Sequence, residues 1–240
     1  MSGSSIDLSP GILSRILYED NHLLIFNKLP SEIVQGDKTK DVPLVDLLKV
    51  YIKEKYHKPG NVFLGVVHRL DRPASGAVIF ARTGKALSRL NEMLREGAMK
   101  KTYWAVVKHK PPTEEGHLVH FMKKNEEQNK SYIFENEAKG SKRAELKYKL
   151  LTSSDQYHLL EIELLTGRHH QIRAQLAAIG CPIKGDLKYG SPRSNEDGSI
   201  HLHARALEFV HPVSKKVICV TALPPRDRLW DYFLSNSTER

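Results

Sequence analysis

The order of predicted elements in this chain points to an α+β fold: a mixed, largely antiparallel sheet with flanking helices and a central basic cleft. Two observations carry that class. Strand-like segments mostly follow other strand-like segments, with few helices interposed, whereas a doubly wound parallel sheet alternates the two. Charged and reactive side chains collect at the ends of the predicted elements, where a sheet can gather them around one cleft. With 240 residues, 40% of them hydrophobic, the chain can bury a substantial core.

Residues 1–13 are small and polar and are expected to form a flexible tail, leaving 14–240 as a single domain. Ile16-Leu17-Tyr18, the acidic turn Glu19-Asp20-Asn21 and His22-Leu23-Leu24-Ile25-Phe26 predict a hairpin ending at Asn27-Lys28. Leu44, Leu47, Leu48, Tyr51 and Ile52 recur at helical spacing and share one apolar face. Ala77-Val78-Ile79-Phe80-Ala81 reads as a strand, and Leu87, Leu90 and Leu94 mark an amphipathic helix between Gly84 and Gly97. Tyr103-Trp104-Ala105-Val106-Val107 is a further strand. Between 123 and 142 charged and amide side chains displace apolar ones, which predicts an extended surface excursion between strands. Leu146, Tyr148 and Leu150 alternate with polar residues, as do Leu160, Ile162 and Leu164; the turn Ser153-Ser154-Asp155 between them makes the two an antiparallel pair. After Gly167, the residues Ile172, Leu176 and Ile179 place a short helix stopped by Gly180. Late strands are expected at 202–209 and 217–221, joined through His211-Pro212. Phe80, Trp104, Tyr148 and Tyr157 are assigned to the core.

Charge narrows the partners. Lys and Arg number 37 against 28 Asp and Glu, a formal net charge of +9, which favours a polyanion and, among polyanions, nucleic acid. The two cysteines, Cys181 and Cys219, are too few and too far apart for a disulfide framework or a structural zinc site, which suits a reducing compartment. The N-terminal residues lack a basic start and an apolar run, and no stretch reaches membrane-spanning length. The expectation is a cytoplasmic protein with no membrane partner. No pairing signature such as a heptad run is present, so a monomer is expected.

The segment His68-Arg69-Leu70-Asp71-Arg72-Pro73-Ala74-Ser75-Gly76 sets one carboxylate among two arginines and a histidine, just before a strand. Nearby positive charge favours the ionised form of an acid, so Asp71 is a candidate nucleophile or base, and the surplus charge can face a phosphate backbone. A solvated surface ion pair is the structural alternative. Tyr103, behind Lys100-Lys101, begins a strand, and Thr166-Gly167-Arg168-His169-His170-Gln171-Ile172-Arg173 enters a helix. One cleft would combine Asp71 with Arg173 as its ion partner and Tyr103 as a wall for a nucleobase. Other chemistries fit less well. Adjacent His169 and His170 point apart on a helix, and with His201 and His203 they lack the cysteine or carboxylate that completes a zinc set. Ser75 has no Gly-x-Ser-x-Gly elbow, and neither Gly76 nor Gly84-Lys85 has phosphate-loop glycine spacing.

His68-Arg69-Leu70-Asp71, Lys101-Thr102-Tyr103, the 167–173 segment, Gly185-Asp186 with Tyr189-Gly190, Leu202-His203-Ala204 and His211-Pro212 occur here in series. In that order and at those separations the chain resembles the RluA-type pseudouridine synthases, which isomerise uridine in ribosomal or transfer RNA. The likeness runs from about Ile16 to the last strands. It implies a pseudouridine synthase catalytic domain without a separate N-terminal RNA-binding module, with no cofactor and no metal. It implies Asp71 as the catalytic aspartate, Tyr103 as the active-site tyrosine packed on the base and Arg173 as the basic partner of the aspartate. Arg69 is implied to fill the space left by a flipped uridine. His68, Arg72, Lys101, Arg168, His170 and Gln171, in the same segments, are expected to contact RNA. Asn27-Lys28-Leu29-Pro30-Ser31-Glu32 departs from the family's Asn-Lys-Pro-small-Gly pattern, and Pro73-Ala74 replaces an acid and a threonine. The rival is a noncatalytic RNA-binding or chaperone protein on the same scaffold, for which Asp71 would be dispensable.

Overall fold

Alternating or continuous apolar runs assemble the strands of a single mixed sheet in the computed structural model, which describes residues 10–37 and 39–237. A helical turn, α1 (Pro10–Leu13), precedes the hairpin of β1 (Ile16–Glu19) and β2 (Leu23–Lys28). Of the expected tail, residues 1–9 lie outside the described residues. Helix α2 (Leu44–Lys55) and the short β3 (Gly65–Val66) lead to β4 (Ser75–Ala81). All seven residues of β4 are buried because both of its faces are covered. Val78 and Phe80 meet Leu44, Leu48 and Ile52 of α2. Ala77 and Ile79 meet Ala86 and Leu90 of α3 (Gly84–Arg95) on the other side. Two-sided burial explains why this strand reads as an uninterrupted apolar run. Thr83 caps α3, its hydroxyl accepting from the Ala86 amide at 3.2 Å.

The second half of the sheet comprises β5 (Met99–Val107), β6 (Glu115–Asn125), β7 (Lys130–Phe134), β8 (Lys142–Ser153) and β9 (His158–Leu164). Helix α4 (Gln171–Ala178) and a 3-10 turn (Leu187–Tyr189) follow, then β10 (Leu202–Val210), β11 (Val217–Thr221) and α5 (Arg228–Asn236). The strand order is β1-β2-β4-β10-β5-β9-β8-β6-β7, with β11 on β10 and β3 on β4. Only β4 and β10 pair in parallel among the described strands, so the largely antiparallel expectation holds. Ile172 and Leu176 of α4 pack on one face of β5, β8 and β9, against Ala105, Leu146 and Ile162. On the opposite face Trp104, Val106 and Leu159 are covered by Trp230 and Phe233 of α5.

Two segments differ from expectation. The surface excursion at 123–142 contains a hairpin: β6 and β7 pair from Phe121↔Phe134 to Asn125↔Lys130, and β6 pairs with β8 from Glu115↔Lys149 to Met122↔Lys142. Its polar composition reflects the outer edge of the sheet, where one face meets solvent. Helix α5, for which no element was expected, is capped by Asp227, which accepts from the Leu229 and Trp230 amides at 2.8 and 2.7 Å. No helix among the described residues is long and apolar enough to cross a membrane.

Candidate active site

Three neighbouring strands bring Asp71 and Tyr103 together. Parallel pairing sets Gly76 of β4 beside Ala204 of β10, and antiparallel pairing sets Ala204 beside Tyr103 of β5. The approach of β4 to β10 requires glycine: Gly76 has φ +118°, and a Cβ there would stand 2.4 Å from both Ala204 N and Ala204 O. Asp71 lies in the loop just before β4, with its own carbonyl accepting from the Ala74 amide at 3.0 Å. A buried cation underpins that loop. Lys28, fully buried at the end of β2, donates through Nζ to Leu29 O at 3.0 Å, Arg72 O at 3.1 Å and Ala74 O at 2.5 Å. Burial pulls its pKa down to about 8. Ser31 closes the other side, its amide donating to Arg72 O at 2.9 Å with φ +70°, the left-handed conformation glycine adopts most easily.

Helix α4 supplies the cation that faces Asp71. Arg173 donates through Nη1 to Asp71 Oδ2 at 2.9 Å, and through Nε and Nη2 to Asp186 Oδ2 and Oδ1 at 2.6 and 2.8 Å. Arg173 and Asp186 are buried, whereas the Asp71 side chain keeps 26% of its exposure, so the acid is the open member of the triad. Among the described residues none donates a hydrogen bond to Asp71 Oδ1, which leaves that oxygen available. Burial works against the charge on Arg173, but Asp186 and Asp71 outweigh it and raise its pKa. The guanidinium also lies 5.1 Å from the centre of the Tyr189 ring.

Tyr103 is buried in the same cluster as Ala74, Ile172 and Ala204. Burial, and then the charge of Asp71, raise the pKa of its phenol, which is therefore neutral at physiological pH. His170 stands at the entry of α4 with φ +54°; its Nδ1 shares a hydrogen bond with Tyr189 Oη at 3.0 Å and its Nε2 is 3.7 Å from Asp71 Oδ2. Burial above all lowers its pKa to about 3, so a neutral imidazole meets Asp71. The left-handed backbone also corrects the expectation that His169 and His170 diverge: their rings stack with centroids 3.7 Å apart.

The other expected RNA contacts divide into outward and inward groups. Arg69 and Arg168 are exposed; Arg168 Nε donates to Arg143 O at 2.9 Å. Arg72 is exposed and paired with Asp41 at 2.6 Å. Lys101 is half-buried, its Nζ close to where a side chain on Gly167 would begin, and burial lowers its pKa. His68 turns inward, Nε2 accepting from the Ile79 amide at 3.2 Å, and burial followed by the Lys101 charge lowers its pKa to about 4. Gln171 is placed inside the fold. Its oxygen accepts from Thr166 Oγ1 at 2.8 Å and Arg168 N at 3.0 Å, and its nitrogen donates to Glu145 O at 3.1 Å and Gln175 Oε1 at 2.9 Å. Those four bonds fill a carboxamide, so Gln171 shapes the entry of α4 and has no capacity left for RNA. Lys28, Asp186 and Tyr189 were not among the expected site residues. The signal for the last two was their place in the recurring Gly185-Asp186 and Tyr189-Gly190 segments; for Lys28 it was a lysine ending an apolar strand.

Comparison with known proteins gives concordant results. A family model described as RNA pseudouridylate synthase matches residues 22–178. The Synechocystis protein "Uncharacterized RNA pseudouridine synthase slr1629" is 34% identical over 214 residues, covering 88% of this chain and 64% of its own length. "Ribosomal large subunit pseudouridine synthase C" of Buchnera aphidicola is 33% identical over 221 residues, covering 89% of this chain and 68% of its own length. The chain thus spans about two thirds of these relatives. A solved structure, "Human RNA Pseudouridylate Synthase Domain Containing 4", superposes with a TM-score of 0.76 at 23% identity, over 94% of this chain and 93% of that one, and so shares the fold.

Proposed function

We propose, for a chain that belongs to the RNA pseudouridine synthase family, of the RluA type, that it isomerises uridine to pseudouridine in ribosomal or transfer RNA with Asp71 as nucleophile. The observation that carries the reading is the pairing of a partly exposed Asp71 with buried Arg173 beside buried Tyr103. Relatives named as ribosomal large subunit synthases make ribosomal RNA the first substrate to test.

A uridine within a stack must be extruded before its glycosidic bond can be reached, at a cost of roughly a few kcal/mol. Contact with the Tyr103 ring returns about 1–3 kcal/mol of stacking, and Arg69, whose exposure supports the role, fills the gap left in the RNA. Arg173 holds Oδ2 of Asp71, so attack comes from Oδ1. The carboxylate attacks the nucleotide, the N1–C1′ bond breaks and the uracil turns. C5 then bonds to C1′, the carboxylate is released, the C5 proton leaves to solvent and N1, which kept the electron pair of the broken bond, takes up a proton in its place. Because the Tyr103 phenol is neutral, it assists that last step only by accepting the C5 proton as it passes its own on. The whole sequence conserves electrons, so it needs no redox partner.

The test is tritium release from ribosomal RNA labelled at uridine C5. The wild-type chain releases tritium and Asp71→Asn does not, while both bind the RNA. Equal release by the two proteins would remove Asp71 from the mechanism.

A further inference from the structure

The segment 182–195, which carries Asp186, also walls a cavity of about 530 Å³ whose lining includes none of the residues of the Asp71 site. Lys108, just beyond β5, joins Lys184 and Arg193 there, with Gln156, Tyr157 and Asn195 among the remaining lining residues and no carboxylate. The cavity is built by fixed backbone. The Lys184 amide donates to Val106 O at 2.9 Å, and the Gly185 amide donates to Ser191 Oγ, which donates in turn to Arg193 O, at 3.1 and 3.0 Å. Lys184 Nζ donates to Asn195 Oδ1 at 2.6 Å and lies 5.9 Å from the centre of the Tyr157 ring. The carboxylates that act on Lys184 from a distance, Asp227 and Asp197, are outside the lining.

We propose that this cavity is a second RNA-binding subsite that takes a phosphodiester between Lys184, Arg193 and Lys108, with the adjoining base against Tyr157. Three cations without a lining acid leave positive charge that a phosphate neutralises, and their ammonium and guanidinium groups donate to its oxygens, Lys184 Nζ having spent one of its three hydrogens on Asn195. An aromatic wall beside a cationic groove is the usual platform for a single-stranded nucleotide. The inference rests on the RNA-modifying reading and assigns it a contact remote from the flipped uridine. A phosphate held here also fixes the segment from which Asp186 reaches Arg173.

The test is filter binding of purified ribosomal RNA, and separately of bulk transfer RNA, at several salt concentrations. It compares the wild-type chain with Lys108→Glu/Arg193→Glu and with the milder Lys108→Gln/Arg193→Gln. Lys53→Glu/Lys58→Glu, on exposed positions in and after α2, matches the charge change of the first pair elsewhere. The expected result is at least a ten-fold rise in Kd for Lys108→Glu/Arg193→Glu and a smaller rise for the glutamine pair. The log–log salt slope should become shallower by about 1, as loss of the one phosphate contact requires. The α2 pair should stay within about three-fold of wild type, since distant charges are screened. Unchanged Kd and slope in the cavity variants, or an equal loss in the α2 pair, would overturn the subsite. Binding needs no turnover: an absence of tritium release with these binding shifts intact would sink the isomerase reading and leave the subsite standing.

Discussion

At the scale of single residues, the site is a chain of dependence from Asp186 through Arg173 to Asp71. Two of the three hydrogen bonds that aim the Arg173 fork are accepted by Asp186, buried and remote from solvent. Asp186→Asn leaves the guanidinium with one carboxylate and is expected to lower stability by about 3 kcal/mol, as removal of one member of a buried pair does. Because Arg173 also orients Asp71, the same change should lower kcat about 100-fold with little effect on KM, the signature of a displaced nucleophile. Urea unfolding and single-turnover tritium release check the two parts; a loss of stability with unchanged kcat would mean that Asp71 is aimed by something else. Asp71 and Arg173 were legible as partners because the charge pattern of each segment called for the other. Lys28 was not, since a lysine ending an apolar strand is too weak a signal to show that its ammonium will be enclosed by carbonyls from residues 44 and 46 positions away.

At the scale of elements, the parallel contact between β4 and β10 decides whether the Asp71 loop and Tyr103 share a cleft. Gly76→Ala drives a Cβ into the Ala204 backbone in a conformation with φ +118°, so β4 must shift. The expected cost is about 3 kcal/mol or more, with loss of activity. Gly84→Ala, at the first position of α3 with nothing within 4 Å of the added carbon, should leave the melting temperature the same or raise it slightly. Equal behaviour of the two variants in thermal melts would refute the steric account. Elements were legible where burial leaves a pattern, either one alternating face or, as in β4, an unbroken apolar run. Strand β9 alternates from Leu160 to Leu164, and α2 shows its face through Leu44, Leu48 and Ile52. Strand β6 was missed because it lies next to the sheet margin, with His117, Val119 and Lys123 exposed and only Met122 buried. Helix α5 did carry a signal, Trp230 and Phe233 at helical spacing behind a capping Asp227, in a segment too short to stand out.

At the scale of the whole molecule, the fold encloses histidines as neutral groups, and its stability should therefore depend on acid. Burial, as the leading cause, lowers the pKa values of His68 and His203 to about 4 and of His170 to about 3. Between those values and the ordinary 6.5 the unfolded chain binds protons that the folded chain does not. Stability is therefore full above pH 6.5 and falls as pH drops toward 4, by up to about 1.4 kcal/mol per pH unit for each histidine. Urea midpoints at pH 7 and pH 5 should differ in that direction, and a midpoint that rises on acidification would contradict the neutral assignment. The same scale holds the main claim, that three strands and a helix converge to make Asp71 a nucleophile toward uridine. Its most direct measurement is tritium release from C5-labelled ribosomal RNA by the wild-type chain and by Asp71→Asn at matched RNA occupancy. The account predicts release by the first and none above background by the second; release at comparable rates by both would contradict it.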